Sequence, residues 1–277
     1  MTLDPQLRLG FVGAGNMARS LIAGLLAAGH PAGRLIAADP DPRQVAASLE
    51  LGPIATSADN AAVAAASDVI VLAIKPQVMA AVCRALRPHL DASRHLLISI
   101  AAGIPLQAME RWLGALPVVR CMPNTPALLR AGITALAGNR HVSTSQLSNA
   151  AAVLGAVGKT VLLDGEDQLD AVTAISGSGP AYFFLFTEAL VDAGIRQGLA
   201  PALARNLAVE TALGAARMAA EASGSLADLR RSVTSPNGTT EAAIAAFEAG
   251  GLRPLVDRAA TAARDRSIEL ADELGND

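Results

Sequence analysis

The stretch Leu7-Arg8-Leu9-Gly10-Phe11-Val12-Gly13-Ala14-Gly15-Asn16-Met17-Ala18 decides the reading of the N-terminal half. Its first residues form an apolar run of strand length, and Gly13, Gly15 and Ala18 follow in a Gly-x-Gly-x-x-Ala spacing. Leu21, Ile22, Leu25 and Leu26 then continue with helical period. Strand, glycine turn and helix in that order make a dinucleotide-binding turn. Gly13 permits the tight bend, Gly15 lets the backbone approach a pyrophosphate, and Ala18 lets the helix pack close on the strand. The pyrophosphate itself sits on the helix N-terminus. The competing reading is an ordinary strand-to-helix turn; the strand before and the helix after favour the cofactor.

Working outward, short β-branched runs at 7–12, 34–38, 68–74, 95–100, 117–121, 133–137 and 160–163 alternate with helical stretches. That alternation is the pattern of βαβ units around a parallel sheet. The run Val69-Ile70-Val71-Leu72-Ala73-Ile74 is apolar on both faces, which places it near the sheet centre. Beyond Asp164 the strand signals stop and helix-period patterns run to the C-terminus, with breaks at 198–201, 223–225, 235–238 and 250–254. The fold class is therefore α/β, with a dinucleotide-binding domain over residues 1–164 and an all-helical domain over 165–277. The first helix of the second part carries Tyr182, Phe183, Phe184 and Phe186, so it is either deeply buried or packed against another subunit. An obligate dimer or larger homo-oligomer is expected.

Composition excludes several classes. The chain has 277 residues, of which 52% are hydrophobic and 17% charged, ample apolar surface for folded domains. A net charge of -3 offers no basic face for nucleic acid or acidic lipid, so the expected partner is a small molecule. The two cysteines, Cys83 and Cys121, lie in apolar runs without metal spacing, which points to a reducing, cytoplasmic setting. His30, His89, His95 and His141 are scattered and expected at the surface or in turns, and no protein-bound metal is expected. No window reaches the roughly 18 apolar residues of a membrane span.

Four further constellations point to chemistry. Asp39 follows the second strand, where a carboxylate accepts hydrogen bonds from the adenosine ribose and repels a 2′-phosphate. It leans the reading toward NADH, with Arg43 the nearest cation. Asp39-Pro40-Asp41-Pro42 is equally a helix-start signal, so a plain cap is the other reading. Ala73-Ile74-Lys75-Pro76 and Ile100-Ala101-Ala102-Gly103 close two strands at the carboxyl ends where open α/β sheets bind ligands, with small residues leaving room for ribose and nicotinamide. Lys75 reads either as a ligand contact or as a solvated loop lysine. Ser235-Pro236-Asn237-Gly238-Thr239-Thr240-Glu241 gathers hydroxyls and backbone amides at one helix start. One hydroxyl suffices for capping, so the excess favours an anionic substrate. Ser176-Gly177-Ser178-Gly179-Pro180 interrupts a helical pattern, which a tight helix crossing or a ligand would explain.

Taken in order, GAGNMA, AIKPQ, SIAAG, Arg120-Cys121-Met122-Pro123-Asn124-Thr125-Pro126, SGSGPAY and TSPNGTT span nearly the whole chain. The set resembles the pyrroline-5-carboxylate reductase family. The resemblance implies a Rossmann domain followed by a helical dimerisation domain, with NADPH or NADH as hydride donor to 1-pyrroline-5-carboxylate, giving L-proline in the last step of proline biosynthesis. By matched position it implies cofactor contacts at Val12, Gly13, Ala14, Gly15, Asn16, Met17, Asn60, Ala73, Ile74, Lys75, Pro76, Ile100, Ala101 and Ala102. To these the ribose reading adds Asp39. The substrate carboxylate falls to Ser235, Gly238, Thr239 and Thr240, with Thr240 the catalytic candidate as orienter of the ring nitrogen. Where many members of the family have Gly-Gly this chain has Asn237-Gly238, and Asn tolerates positive φ. A related reductase of another imine or keto acid, and a non-catalytic dinucleotide sensor, are the alternative readings.

Overall fold

The computed structural model describes residues 3–275. Its sheet comprises β1 (Leu9–Val12), β2 (Leu35–Ala38), β3 (Ala55–Ser57), β4 (Val69–Leu72), β5 (Leu96–Ser99), β6 (Val118–Met122), β7 (Gly132–Gly138) and β8 (Gly158–Leu162). The helices are α1 (Asn16–Ala27), α2 (Pro42–Leu49), α3 (Asn60–Ala66), α4 (Met79–Leu86), α5 (Leu106–Leu113), α6 (Thr144–Gly155), α7 (Leu169–Val172), α8 (Gly179–Arg196), α9 (Pro201–Glu221), α10 (Leu226–Ser232), α11 (Thr239–Ala249) and α12 (Leu252–Gly275).

The strands lie in the order β3-β2-β1-β4-β5-β6-β7-β8. Chain direction through the sheet reverses at β1, which pairs with β2 on one side and β4 on the other. That reversal is the switch point at which doubly wound sheets bind ligands. The central position expected for β4 is observed, and all four of its residues are buried. Alternate strand residues divide between two cores. Leu9, Phe11, Val71 and Ile98 face a layer containing α1 and α6, whereas Val12, Ile70, Leu72 and Leu97 face α3, α4 and α5.

One departure from a parallel sheet occurs at β7, which pairs antiparallel with β6. Parallel neighbours need a crossover of a dozen or more residues. The link between these two strands, residues 123–131, holds only a short 3₁₀ turn over Thr125–Leu129, and the chain folds straight back. Two histidines also depart from expectation. His30 and His95 are buried, and His95 accepts the Asp91 N–H at Nδ1 (2.8 Å) while its Nε2 lies 3.1 Å from the Ala64 carbonyl oxygen.

The starts of β1 and β4 are joined by Asp68, which accepts from the Arg8 backbone N–H at 3.1 Å and from Arg8 Nε at 2.9 Å, with Arg94 Nε at 3.4 Å. The Arg8 guanidinium holds the Asp68 carboxyl down at about 2. A carboxyl depressed in the folded state contributes stability above its unfolded pKa and loses it as pH falls toward the folded value. Asp68→Asn is expected to cost about 1–2 kcal/mol at neutral pH after solvent screening. In urea unfolding the gap to wild type should narrow from about pH 5 to about pH 3; a constant gap would reject this linkage.

The residues form two compact units, one running to Ser178 and taking in the chain from Ala263, the other spanning Gly179–Ala262. The first unit thus extends past the change of pattern at residue 165 and recovers the end of α12. Ser267 Oγ donates to Asp170 at 2.7 Å, and Arg111 donates to the Gly275 carbonyl. The second unit is helical and poorly self-buried. On α8, Phe183 and Phe184 are 74% and 70% exposed, and Leu185 is 67% exposed. A helix this apolar on its open side needs a protein partner.

Candidate functional site

At the carboxyl end of β1 the chain bends through Gly13 at φ +92°, a left-handed conformation that disfavours any side chain. A Cβ there would also stand 2.5 Å from the Ala73 carbonyl oxygen at the end of β4. Gly15 precedes α1 in an extended conformation without capping the helix by a side chain, and a Cβ on it would meet no atom within 4 Å. The first turn of α1 therefore begins beside open space with no side-chain cap on its amides, a cradle suited to a pyrophosphate. Ala18 is fully buried, as its packing role requires.

Asp39 is not the helix cap that one sequence reading allowed. Its Oδ2 accepts the Ala14 N–H at 2.8 Å and its Oδ1 accepts the Asp41 N–H at 2.9 Å, so the carboxylate braces the glycine turn from behind. The cap of α2 is Asp41, which accepts the Arg43 N–H at 2.9 Å. Arg43 also grips the Asp41 carboxylate with its guanidinium and holds that carboxyl below its ordinary range. Asn60 opens α3 at the end of the edge strand β3, where Asp59 is the cap.

Beside the turn lies a cleft of about 440 Å³, bordered by Met17 of α1, residues 73–76 after β4 and residues 100–102 after β5. Its lining is mostly apolar, as a nicotinamide ring and ribose require. Met122, Pro123, Asn124, Thr125 and Gly177 complete the wall, and none was singled out individually from sequence. Asn124 holds this wall together. Its Oδ1 accepts the Ile133 N–H at 3.0 Å and its Nδ2 donates to the Ser176 carbonyl at 3.2 Å. Ser176 and Gly177 belong to a π-helical turn, Thr173–Gly177, and a Cβ on Gly177 would stand 2.4 Å from Met122 Cε. That atom is the tip of a flexible side chain that can move aside, so packing alone does not demand that glycine. The sequence signal was available: a Pro-Asn-Thr-Pro run at a strand end is built for a turn at the ligand edge. A larger cleft of about 670 Å³, bordered by α1, α6 and β8, contains none of these residues.

In the second unit, Asn237 adopts φ +58°, as the tolerance of Asn for that region allowed, and Gly238 precedes α11. No hydroxyl caps α11, so plain capping is not what Ser235, Thr239 and Thr240 do. A Cβ on Gly238 would stand 2.5 Å from Ser235 Oγ, which explains the glycine. The Asn237 N–H is taken by Glu241 Oε2 at 2.7 Å, bringing a carboxylate to the same helix end.

Comparison with known proteins identifies the family. Residues 166–270 match the family described as pyrroline-5-carboxylate reductase dimerisation, and residues 8–103 match that described as NADP oxidoreductase coenzyme F420-dependent. The pyrroline-5-carboxylate reductase of Pseudomonas aeruginosa is 54% identical over 97% of this chain and 98% of its own. The chain belongs to the pyrroline-5-carboxylate reductase family. A solved reductase from Coxiella burnetii superposes with a TM-score of 0.93 at 42% identity, covering 96% of this chain and 98% of that one. The Plasmodium falciparum pyrroline carboxylate reductase, solved with NADP bound, gives 0.83 at 29% identity over 96% and 99%. For this reductase the expected architecture holds, a Rossmann domain followed by a helical dimerisation domain. Among the described residues no helix is long and apolar enough to cross a membrane.

Proposed function

We propose that the residues at these strand ends and at the α11 turn carry out the family reaction, the NAD(P)H-dependent reduction of 1-pyrroline-5-carboxylate to L-proline that closes proline biosynthesis. The observation that carries this reading is the uncapped, hydroxyl-rich start of α11 in a chain that also holds an uncapped glycine turn.

When bound, the nicotinamide supplies a hydride to the imine carbon, which is electrophilic once the ring nitrogen is protonated. The protein's share is positioning and exclusion of water. Gly13, Ala14, Gly15 and Asn16 hold the pyrophosphate on the α1 amides, with Val12 setting the strand end. Met17, Ala73, Ile74, Lys75, Pro76, Ile100, Ala101 and Ala102 border the nicotinamide half, and Asn60 and Asp39 flank the adenosine half. Ser235, Gly238, Thr239 and Thr240 hold the substrate carboxylate. Thr240 orients the ring nitrogen through its hydroxyl, which is too weak an acid to serve as more than a relay from water.

Purified protein should oxidise NADH or NADPH only when pyrroline-5-carboxylate is present. Turnover with an open-chain keto acid and none with the cyclic imine would overturn the assignment. The partner is a second copy of this chain joined through the apolar α8 face, and the -3 charge gives no footing for nucleic acid. The free thiols fit a reducing cytoplasm: burial pushes Cys83 up to about 12 and Cys121 higher still, leaving both inert.

Glu241 supplies a sharper check. Its carboxylate takes the Asn237 N–H at the helix start that this reading gives to the substrate carboxylate. Glu241→Gln keeps an oxygen for the Asn237 N–H and removes the like charge, so KM for pyrroline-5-carboxylate should fall about two- to fivefold with kcat unchanged. A rise in KM would show that the charge itself holds the turn.

A further inference from the structure

We infer that the loop after β2 selects a dinucleotide without a 2′-phosphate, NADH over NADPH, and that Asp39 is the residue that selects. The inference rests on the dinucleotide reading of the glycine turn given above and adds the choice between the two cofactors.

A 2′-phosphate is a dianion that needs donors, whereas a ribose diol brings two donors that need acceptors. The groups from residue 40 to residue 43 decide which of the two the loop suits. Pro40 and Pro42 have no N–H. The Asp41 N–H is spent on Asp39 Oδ1, and the Arg43 N–H on Asp41 Oδ1. The Arg43 side chain, the nearest cation in sequence, is held by Asp41 through Nε at 3.1 and 3.2 Å and Nη2 at 2.8 Å. Releasing it would strip Asp41 of its counter-ion and leave two carboxylates facing the phosphate. From Pro40 to Arg43 the loop therefore offers a phosphate no free backbone donor and no uncommitted cation.

It does offer acceptors. Each Asp39 oxygen takes one N–H, from Ala14 and Asp41, and an ionised carboxylate has about four acceptor sites, so both oxygens keep capacity for a hydroxyl. The same two bonds fix the carboxylate against the glycine turn, so it cannot rotate away from a bulkier ligand. Arg19 is the counterweight. It bridges the turn and α2 through the Ala14 carbonyl (3.3 Å), Asn16 Oδ1 (2.6 Å) and Gln44 Oε1, all of them neutral acceptors. A phosphate would have to draw Arg19 out of these bonds while still standing against Asp39.

The test is equilibrium binding of ADP-ribose and of its 2′-phosphate to the full-length protein by calorimetry, independent of turnover. Wild type should bind ADP-ribose about tenfold more tightly. Asp39→Asn keeps an oxygen for the Ala14 N–H and removes the charge, so it should close that gap; Asp39→Ser should do so with weaker binding of ADP-ribose. Arg19→Gln should weaken the 2′-phosphate form further. Equal or tighter binding of the 2′-phosphate by wild type would overturn the selection while leaving the dinucleotide site intact. Binding of neither ligand would overturn the selection and the dinucleotide reading together.

Discussion

Gly15→Ala is expected to fold as wild type does and to lose its dinucleotide. The position has ordinary extended backbone, and the added methyl enters space free of any atom within 4 Å. Loss of a glycine cap and the gain from a stiffer unfolded chain are each a few tenths of a kcal/mol and roughly cancel, so Tm should move by no more than about 2 °C. The methyl nevertheless fills the cradle over the first α1 amides, where a pyrophosphate has to touch backbone, and affinity for NADH and NADPH should fall at least about a hundredfold. Gly13→Ala makes the contrast. There the side chain meets the Ala73 carbonyl oxygen at 2.5 Å and a φ of +92°. The left-handed conformation alone costs about 1–2 kcal/mol and the backbone clash adds to it, so Tm should drop by roughly 10 °C along with binding. Calorimetric unfolding and cofactor titration of the two variants separate the roles. Retained cofactor affinity in Gly15→Ala would remove this turn from the cofactor site.

The parts of this fold that could be read from sequence are those fixed by local side-chain pattern. The buried runs of β1, β4 and β5 declare themselves because both faces of a central parallel strand are apolar. By contrast β3, Ala55-Thr56-Ser57, has no large apolar residue and sits exposed at the sheet edge, held by backbone pairing with β2 that no side chain announces. The presence of β7 was legible but its direction was not, because direction depends on the length of the connection from β6. Asp-Pro-Asp-Pro holds two capping candidates, and only the geometry assigns the cap to Asp41 and the brace to Asp39. Asn124 illustrates the last limit. Its two bonds reach Ile133 and Ser176, and the second partner is far along the chain, beyond any local pattern.

Another long-range tie leads to the second large effect. Arg120, on β6 just before the cleft-lining Met122, donates to Glu166 Oε1 at 2.6 Å, and the same oxygen accepts the Leu106 N–H at 2.8 Å where α5 begins without a cap of its own. The partners are unequally buried: the Arg120 side chain is 6% exposed and that of Glu166 27%. Removing either member of an ion pair costs mainly through the charge left behind, and that cost grows with burial. Glu166→Ala strands a buried guanidinium and bares the start of α5, so it should destabilise by about 3–5 kcal/mol and lower Tm by roughly 10 °C. Arg120→Met leaves a carboxylate that water reaches and that keeps the Leu106 N–H, so about 1–2 kcal/mol is expected. The double variant should come out more stable than Glu166→Ala alone, since the orphaned charge has gone, with a coupling of at least about 2 kcal/mol in the cycle. Equal losses for the two single variants, or additive behaviour in the double, would mean that water already screens the pair and that β6 is held at the cleft by packing alone.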